Sequence, residues 1–166
     1  MHDAVLDFVA SNAPQYPAMR ILDIGGRDIN GTAIHLFPAD AMVTVVDLHP
    51  APNVDIVGDI TELHFEEPFD VVLCLEVLEH APNWKDIIAS CAALTDTEGW
   101  LIATAAGPGR PVHSGIHGNA DEGMRPGEWY ENIDPIDLQA QLDATGMVGT
   151  VEVAGLDVRV AARWTD

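Results

Sequence analysis

The sequence predicts an α/β fold, a doubly wound and mostly parallel sheet, on three observations. The run Met19-Arg20-Ile21-Leu22 ends in Asp23 and passes through Ile24 into Gly25 and Gly26. This is the pattern of a first strand opening into a ligand-binding loop, because glycine lets backbone approach a ligand where a Cβ would block it. A second run, Val43-Thr44-Val45-Val46, ends in Asp47, 22 residues beyond Gly25, where such folds place the carboxylate that grips ribose hydroxyls. Strand-like and helix-like segments then alternate along the chain, as parallel βαβ units require.

The elements follow in order. Residues 3 to 12 place Val5, Phe8 and Val9 at helical spacing ahead of Pro14, giving a leading helix that covers the sheet or closes the ligand cleft. After the first strand, Thr32 to Phe37 reads as a short helix stopped by Pro38. The link from Asp47 to Val54 runs through His49-Pro50-Ala51-Pro52-Asn53, too short and too proline-rich for a crossover helix. The next long apolar strand begins at Phe69. Asn83 is expected to cap a helix in which Trp84, Ile87, Ile88, Cys91 and Ala92 recur at i, i+3, i+4, i+7 and i+8, with Asp86 in the first turn. Strand five is Trp100 to Ala105. The last helix starts with Asp134 as cap and Pro135 at the first position, Ile133 and Leu138 are spaced as a hydrophobic staple, and Gly146 closes it. Two strand-like runs, Gly149 to Ala154 and Asp157 to Trp164, flank Gly155-Leu156 as a hairpin.

Length and composition bound the function. One domain is expected over the 166 residues, since a chain near this size buries about 70% of its unfolded surface. It divides into a leading helix (1–18), a cofactor-binding core (19–105), a substrate loop or lid (106–133), and the last helix with the hairpin (134–166). The net charge of −20, from 27 acids against 7 bases, argues against bulk nucleic acid as partner, because phosphate binding depends on Lys and Arg displacing counterions. Cys74 and Cys91 fall in an apolar strand and on an apolar helix face, so they read as core packing in a reducing cytoplasm. No run approaches the roughly 18 apolar residues of a membrane span, and the amino terminus lacks a basic segment followed by an apolar one. A soluble cytoplasmic monomer or homodimer is expected.

The loop chemistry narrows the ligand. Dinucleotide binding asks for G-x-G-x-x-G, and Gly25 is followed by Gly26 and Arg27 with no glycine at the second fingerprint position. Asp23, two residues before the first glycine, would repel a pyrophosphate and suits the cationic end of a ligand.

From here the chain resembles the class I S-adenosylmethionine-dependent methyltransferases, in particular small members with an E-V-L-E-H segment after the fourth strand. Phe69-Asp70-Val71-Val72-Leu73-Cys74-Leu75-Glu76-Val77-Leu78-Glu79-His80 is similar to that segment, and Val57-Gly58-Asp59-Ile60 is similar to the family's third motif. The usual acid-x-G-x-G-x-G loop is reduced to Asp23-Ile24-Gly25-Gly26-Arg27-Asp28, with the next glycine at Gly31. The resemblance covers roughly residues 19 to 105. It implies a Rossmann-like, mostly parallel seven-stranded sheet in the order 3-2-1-4-5-7-6 with an antiparallel last strand. It further implies S-adenosyl-L-methionine as cofactor and S-adenosyl-L-homocysteine as product. In such sheets ligands bind beyond the carboxyl ends of the strands at the switch point, which brings residues 23–31 and 74–80 together.

The resemblance assigns roles residue by residue. Asp23 holds the methionine ammonium, Gly25 and Gly26 give backbone access, Asp47 chelates the ribose hydroxyls, Asp59 and Ile60 border adenine, and the Leu75 carbonyl faces the ammonium. Arg27, Asn30, Leu48, Glu76 and His80 lie in the same segments and belong to the same site. Glu76 and Glu79 carry a competing reading as solvated acids leading into a loop.

An SN2 methyl transfer asks little of side chains beyond holding the nucleophile about 3 to 3.5 Å from the methyl carbon, an effect worth roughly 7 to 11 kcal/mol. His80 is the expected base or orienting group, against a purely structural histidine, and His113 is its expected catalytic companion. The long aperiodic segment after strand five marks a lid or binding loop, with Arg110, His113, His117, Trp129 and Tyr130 as its useful chemistry. The two aromatics equally suit packing of the lid. His113 and His117, with Asp121 and Glu122, have donor types for a metal, but no helix is expected between them and no metal is assigned. The expected activity is methylation of a small-molecule or glycan-type acceptor at O or N. Alternatives are a noncatalytic S-adenosylmethionine-binding module or partner subunit, a protein methyltransferase, and a nicotinamide oxidoreductase sharing the β-α-β start and Asp47.

Overall fold

The computed structural model describes residues 2–117 and 123–165. Seven strands form one sheet: β1 (Arg20–Ile24), β2 (Met42–Asp47), β3 (Ile56–Val57), β4 (Phe69–Leu75), β5 (Thr95–Ala106), β6 (Glu152–Ala154) and β7 (Asp157–Ala162), in the order β3-β2-β1-β4-β5-β7-β6. The first five pair in parallel, while β7 runs antiparallel to β5 and β6. The expected topology is the one observed. Three helices, α1 (Asp3–Asn12), α2 (Trp84–Leu94) and α3 (Pro135–Thr145), accompany the sheet.

The central strands are mostly apolar because both faces are covered. Ile21, Leu22 and the run Val71 to Cys74 have no solvent exposure. On one face α2 and α3 pack Trp84, Ile87, Ile88, Cys91, Leu138 and Leu142 into a core with Leu22, Val72 and Leu101. On the other, Val5, Phe8 and Val9 of α1 join Ile21, Val71, Leu73 and Ile102. The leading helix therefore covers the sheet. Cys74 and Cys91 are buried free thiols within the first core. Among the described residues, no helix is long and apolar enough to cross a membrane.

The switch point lies at β1, which pairs with β2 on one side and β4 on the other, placing Ile24 opposite both Val46 and Cys74. The carboxyl ends of three strands thus meet around the glycine loop. The trimmed crossover is also as expected: no helix separates β2 from β3.

Four local expectations need correction. The Thr32–Phe37 helix shrinks to a single 3-10 turn, Ile34–Leu36. Asn83 occupies the cap position of α2, but its side chain makes no capping hydrogen bond. The hairpin strands are shorter than the apolar runs, with Val148 and Arg163 joined only by an isolated bridge. β5 starts at Thr95 rather than Trp100, directly after α2, and its pairing with β4 shifts register between Phe69 and Val71. The polar stretch Thr95-Asp96-Thr97-Glu98 hides this extension from a hydrophobicity reading. A Cβ on Gly99 would lie 2.9 Å from the carbonyl oxygens of Phe69 and Asp70, so glycine is what lets the irregular strand close on β4.

The carboxyl-terminal helix follows its sequence signals closely. Asp134 Oδ1 accepts from the backbone N–H groups of Ile136 and Asp137, Ile133 and Leu138 are both buried, and Gly146 ends the helix at φ +87°. Asp134→Ala is expected to cost about 1 kcal/mol, seen as a fall of about 2–4 °C in melting temperature. An unchanged thermal midpoint would show that the cap does not stabilise α3.

Candidate active site

Above the carboxyl ends of β1, β2 and β4 lies a cleft with two lobes of about 670 and 680 Å³. They share Gly25, Arg27, Glu76, His80 and Gly115, so the glycine loop, the end of β4 and the lid segment form a common wall. The first lobe also takes in Asp23, Gly26, Asn30, Leu75, Arg110 and His113. The second takes in Asp47, Leu48, Asp59, Ile60 and Trp129. Of the residues given a role in the site, His117 and Tyr130 line neither lobe, and neither does Glu79.

The glycine loop is shaped for close approach. Gly25 has φ +70°, and a Cβ there would sit 2.3 Å from Val77 Cγ2. A Cβ on Gly26 would lie 2.4 Å from Asp23 Oδ2, so any side chain would fill the cradle over that carboxylate. Asn53 fastens the loop from the second crossover: its Nδ2 donates to the Gly26 carbonyl at 2.8 Å, and its Oδ1 accepts from Asp28 N at 3.2 Å. Sequence reasoning missed this clamp because the two segments are distant in the chain.

The acids differ in environment. Asp23 is 3% exposed, and burial together with the nearby Asp47 carboxylate pushes its pKa up to about 7. Asp47 Oδ1 accepts from His49 N at 2.8 Å and lies 3.9 Å from Arg27 Nε. Asp59 Oδ1 accepts from both Thr61 N and Thr61 Oγ1, which shapes the turn after β3. Glu76 sits at the end of β4 with φ +59°, a conformation that costs a non-glycine residue energy. Its carboxylate accepts from Thr104 Oγ1 at 3.0 Å and faces Arg110 Nη2 at 3.3 Å, so this acid is engaged rather than solvated.

Glu79 departs furthest from its expected solvated place. It lies in the 3-10 turn Leu78–His80 with no solvent exposure, and its carboxylate oxygens are approached only by the backbone at Glu79 and Ala106, short of full hydrogen-bond geometry. Burial and the Glu76 charge push its pKa up to about 8. A three-residue turn carries no hydrophobic periodicity, so no sequence signal distinguished it from an exposed acid. His80 is held neutral, its pKa lowered to about 4 by burial and by His113.

The lid segment is tied down at several points. Arg110 forms ion pairs with Asp157 of β7 and with Glu76, and His2 Nε2, just ahead of α1, lies 3.2 Å from Asp157 Oδ2. Arg27 Nη2 donates to the Gly115 and Ile116 carbonyls. Ser114 Oγ donates to Glu128 Oε1 at 2.6 Å, and Asn132 Nδ2 donates to the carbonyls of Gly107 and Arg110. Tyr130 packs its ring edge-on against His80 and His113, centroids 5.5 and 4.9 Å away, and its hydroxyl donates to the Pro111 carbonyl. It braces the histidines from outside the cavity. Trp129 is 46% exposed at the rim of the second lobe. His117 belongs to the lid interior, where its N–H reaches Ser114 Oγ at 3.3 Å. Asp121 and Glu122 lie outside the described residues.

A cleft at the β1/β4 switch point of a 3-2-1-4-5-7-6 sheet, floored by an acid and a glycine loop, is the architecture of the class I S-adenosylmethionine-dependent methyltransferases. The chain belongs to the methyltransferase domain family, whose model matches residues 1–147. It is 26% identical over 165 residues to the ubiquinone biosynthesis O-methyltransferase of Erwinia tasmaniensis, a match covering 81% of this chain and 67% of that one. The enzyme of the same name from Xanthomonas campestris pv. campestris is 34% identical over 114 residues, covering 58% of this chain and 46% of the relative. The chain thus spans about two thirds of one of these relatives and under half of the other. Among solved structures, Burkholderia thailandensis 1,6-didemethyltoxoflavin-N1-methyltransferase, determined with 1,6-didemethyltoxoflavin and S-adenosylhomocysteine, shares the fold. Its TM-score is 0.69 at 19% identity, over 99% of this chain and 78% of that one.

Asp23 has a consequence for stability. Its carboxyl ionises near 3.8 in an unfolded chain and near 7 in the fold, so its contribution is fully present below pH 3.8 and is lost as pH rises through 7. Asp23→Asn is expected to raise the melting temperature of the ligand-free protein by a margin that grows from pH 5 to pH 8. A margin that stays flat or shrinks over that range would contradict the assignment.

Proposed function

We propose that this chain binds S-adenosyl-L-methionine in the two-lobed cleft and methylates a small-molecule acceptor at oxygen or nitrogen. The observation that carries this reading is the buried Asp23 carboxylate under the Gly25-Gly26 cradle, with Asp47 at the neighbouring strand end. A desolvated carboxylate attracts a cationic ligand end strongly, and the Gly26 cradle has no room for a side chain. In this reading Asp23 and the Leu75 carbonyl take the methionine ammonium. Asp47 takes the ribose hydroxyls, and Asp59, Ile60 and Leu48 enclose adenine in the second lobe. Arg27, Asn30 and Glu76 complete the wall between the cofactor and the lid.

Bound S-adenosylmethionine supplies a methyl group on a sulfonium sulfur and leaves as S-adenosyl-L-homocysteine. The chain's own residues do the positioning. His80 and His113, facing the first lobe, orient the acceptor and handle its proton, while Arg110 and the lid exclude water. A small acceptor, glycan-type ones included, is supported by the lobe's size, by the similarity to ubiquinone biosynthesis O-methyltransferases and by the 1,6-didemethyltoxoflavin bound in the solved neighbour. The charge of −20 weighs against nucleic acid. Two buried free thiols suit a cytoplasmic location.

Titration calorimetry tests the cofactor. Native protein is expected to bind S-adenosylmethionine in the micromolar range, and Asp47→Ala to bind it at least tenfold more weakly, a loss of about 1.4 kcal/mol. No binding by the native chain would sink the proposal, and binding without turnover across an acceptor screen would favour a noncatalytic module.

The raised pKa of Asp23 sets the pH dependence. Because the ligand ammonium favours the ionised acid, binding is expected to tighten from pH 6 to pH 7.5 and to release a proton, measured as heats that vary with buffer ionisation enthalpy. Asp23→Asn should lose both effects; their persistence in the variant would assign the proton elsewhere.

A further inference from the structure

We propose that Arg27 is a positioning residue through which the bound cofactor fixes the lid. A ribose hydroxyl held on Asp47 completes the Arg27 guanidinium, and the guanidinium in turn holds the lid backbone beside His80. This rests on the methyl-transfer reading above and goes beyond it, since there Arg27 serves only as part of a wall. Arg27 follows Gly25 and Gly26 in the glycine loop and lines both lobes of the cleft. Its side chain is 15% exposed, and its Nε is buried with no hydrogen-bond partner. Buried donors are nearly always paired, and one on a charged group is costly to leave unmet.

Asp47 Oδ1 lies 3.9 Å from that nitrogen, too far for a direct hydrogen bond, and accepts from His49 N at 2.8 Å. A hydroxyl seated beside the two can donate to the carboxylate and accept from Nε, because its oxygen carries one donor and two lone pairs. A ligand ammonium in the same place could only donate. The ribose hydroxyls assigned above to Asp47 therefore have the chemistry that Nε lacks.

The other end of the guanidinium already meets the lid. Arg27 Nη2 donates to the Gly115 and Ile116 carbonyls at 3.4 and 3.2 Å, the long end of the hydrogen-bond range. Gly115 lies directly against His80, since a Cβ there would sit 2.8 Å from His80 Cγ. His113 stands edge to face with the same imidazole at 5.0 Å. The backbone that Arg27 holds thus confines the histidines given to the acceptor. The donors of a guanidinium are rigidly related in one plane, so pairing Nε with the ribose fixes Nη2 and the two carbonyls with it. The acceptor's wall is then complete only with the cofactor in place, and the cofactor binds before the acceptor.

The test follows hydrogen exchange of the peptide spanning residues 111–117 by mass spectrometry, with S-adenosyl-L-homocysteine as the probe. Titration calorimetry sets saturation in every sample. Saturating the native chain is expected to slow exchange of that peptide at least about fivefold, the lower scale of coupling between two sites. Arg27→Lys keeps the charge but cannot bridge a hydroxyl and two carbonyls with one nitrogen in a fixed plane. It is expected to bind the probe at least about fivefold more weakly and, once saturated, to exchange as fast as the ligand-free protein. Of the 2′-deoxy and 3′-deoxy forms of the probe, the one lacking the bridging hydroxyl should saturate the native chain without slowing the peptide, an arm that does not depend on the variant folding. Equal slowing in Arg27→Lys, or equal slowing by both deoxy forms, would overturn the proposal. Saturation of the native chain with no change in the peptide removes this inference alone, whereas absence of binding removes the methyl-transfer reading together with it.

Discussion

The structure is organised around a carboxylate held where water cannot reach it. Asp23 lies one residue before the end of β1, a strand buried at every position after Arg20, and its position is fixed by pairing with β2 on one side and β4 on the other. Neither neighbour supplies a cation, and Asp47 adds a second negative charge nearby. The fold tolerates this cost because the apolar faces of β1 and β4 bury almost completely on both sides, and the stability they provide offsets one unfavourable acid. Such an arrangement is typical of a site whose stability is completed by its ligand rather than by the chain.

A second theme is the placement of charge around the lid. A chain with 27 acids and 7 bases has few cations to distribute, and two of them face the cleft. Arg27 ties the glycine loop to the lid backbone, and Arg110 ties the lid to β4 and β7. Both guanidiniums are largely shielded from solvent, with side-chain exposures of 15% and 21%. Their contacts are correspondingly less screened than those of surface pairs such as Arg20–Glu67. The irregular segment after β5 is therefore held over the cleft by a few strong contacts. Glu76, at a strained backbone position, links the end of β4 to that anchor.

Glu79 and Asn53 mark where reading from sequence runs out. Asn53 reads as one polar residue in a proline-rich link, yet it bonds Gly26 and Asp28 of the glycine loop. Glu79 follows Glu76 by three residues and looks equally solvated, but the 3-10 turn buries it completely. Asn83 erred in the opposite direction: its residue type suits a cap, while its backbone, at φ −99° and ψ +28°, does not bring the side chain onto the helix N–H groups. Asp134 has the same signal with extended backbone, and there the cap forms.

The sequence alone determined the sheet, the cleft and the residues at its strand ends. Strand hydrophobicity, glycine position and acid spacing are local features, and the switch point follows once strands one and four are known to be neighbours. Only the tertiary structure decided which acids are buried, which cations hold the lid, and which of the lid histidines packs against His80. Those outcomes depend on contacts between segments tens of residues apart, and desolvation and partnering are properties of the folded surroundings rather than of any residue's immediate neighbours in the chain.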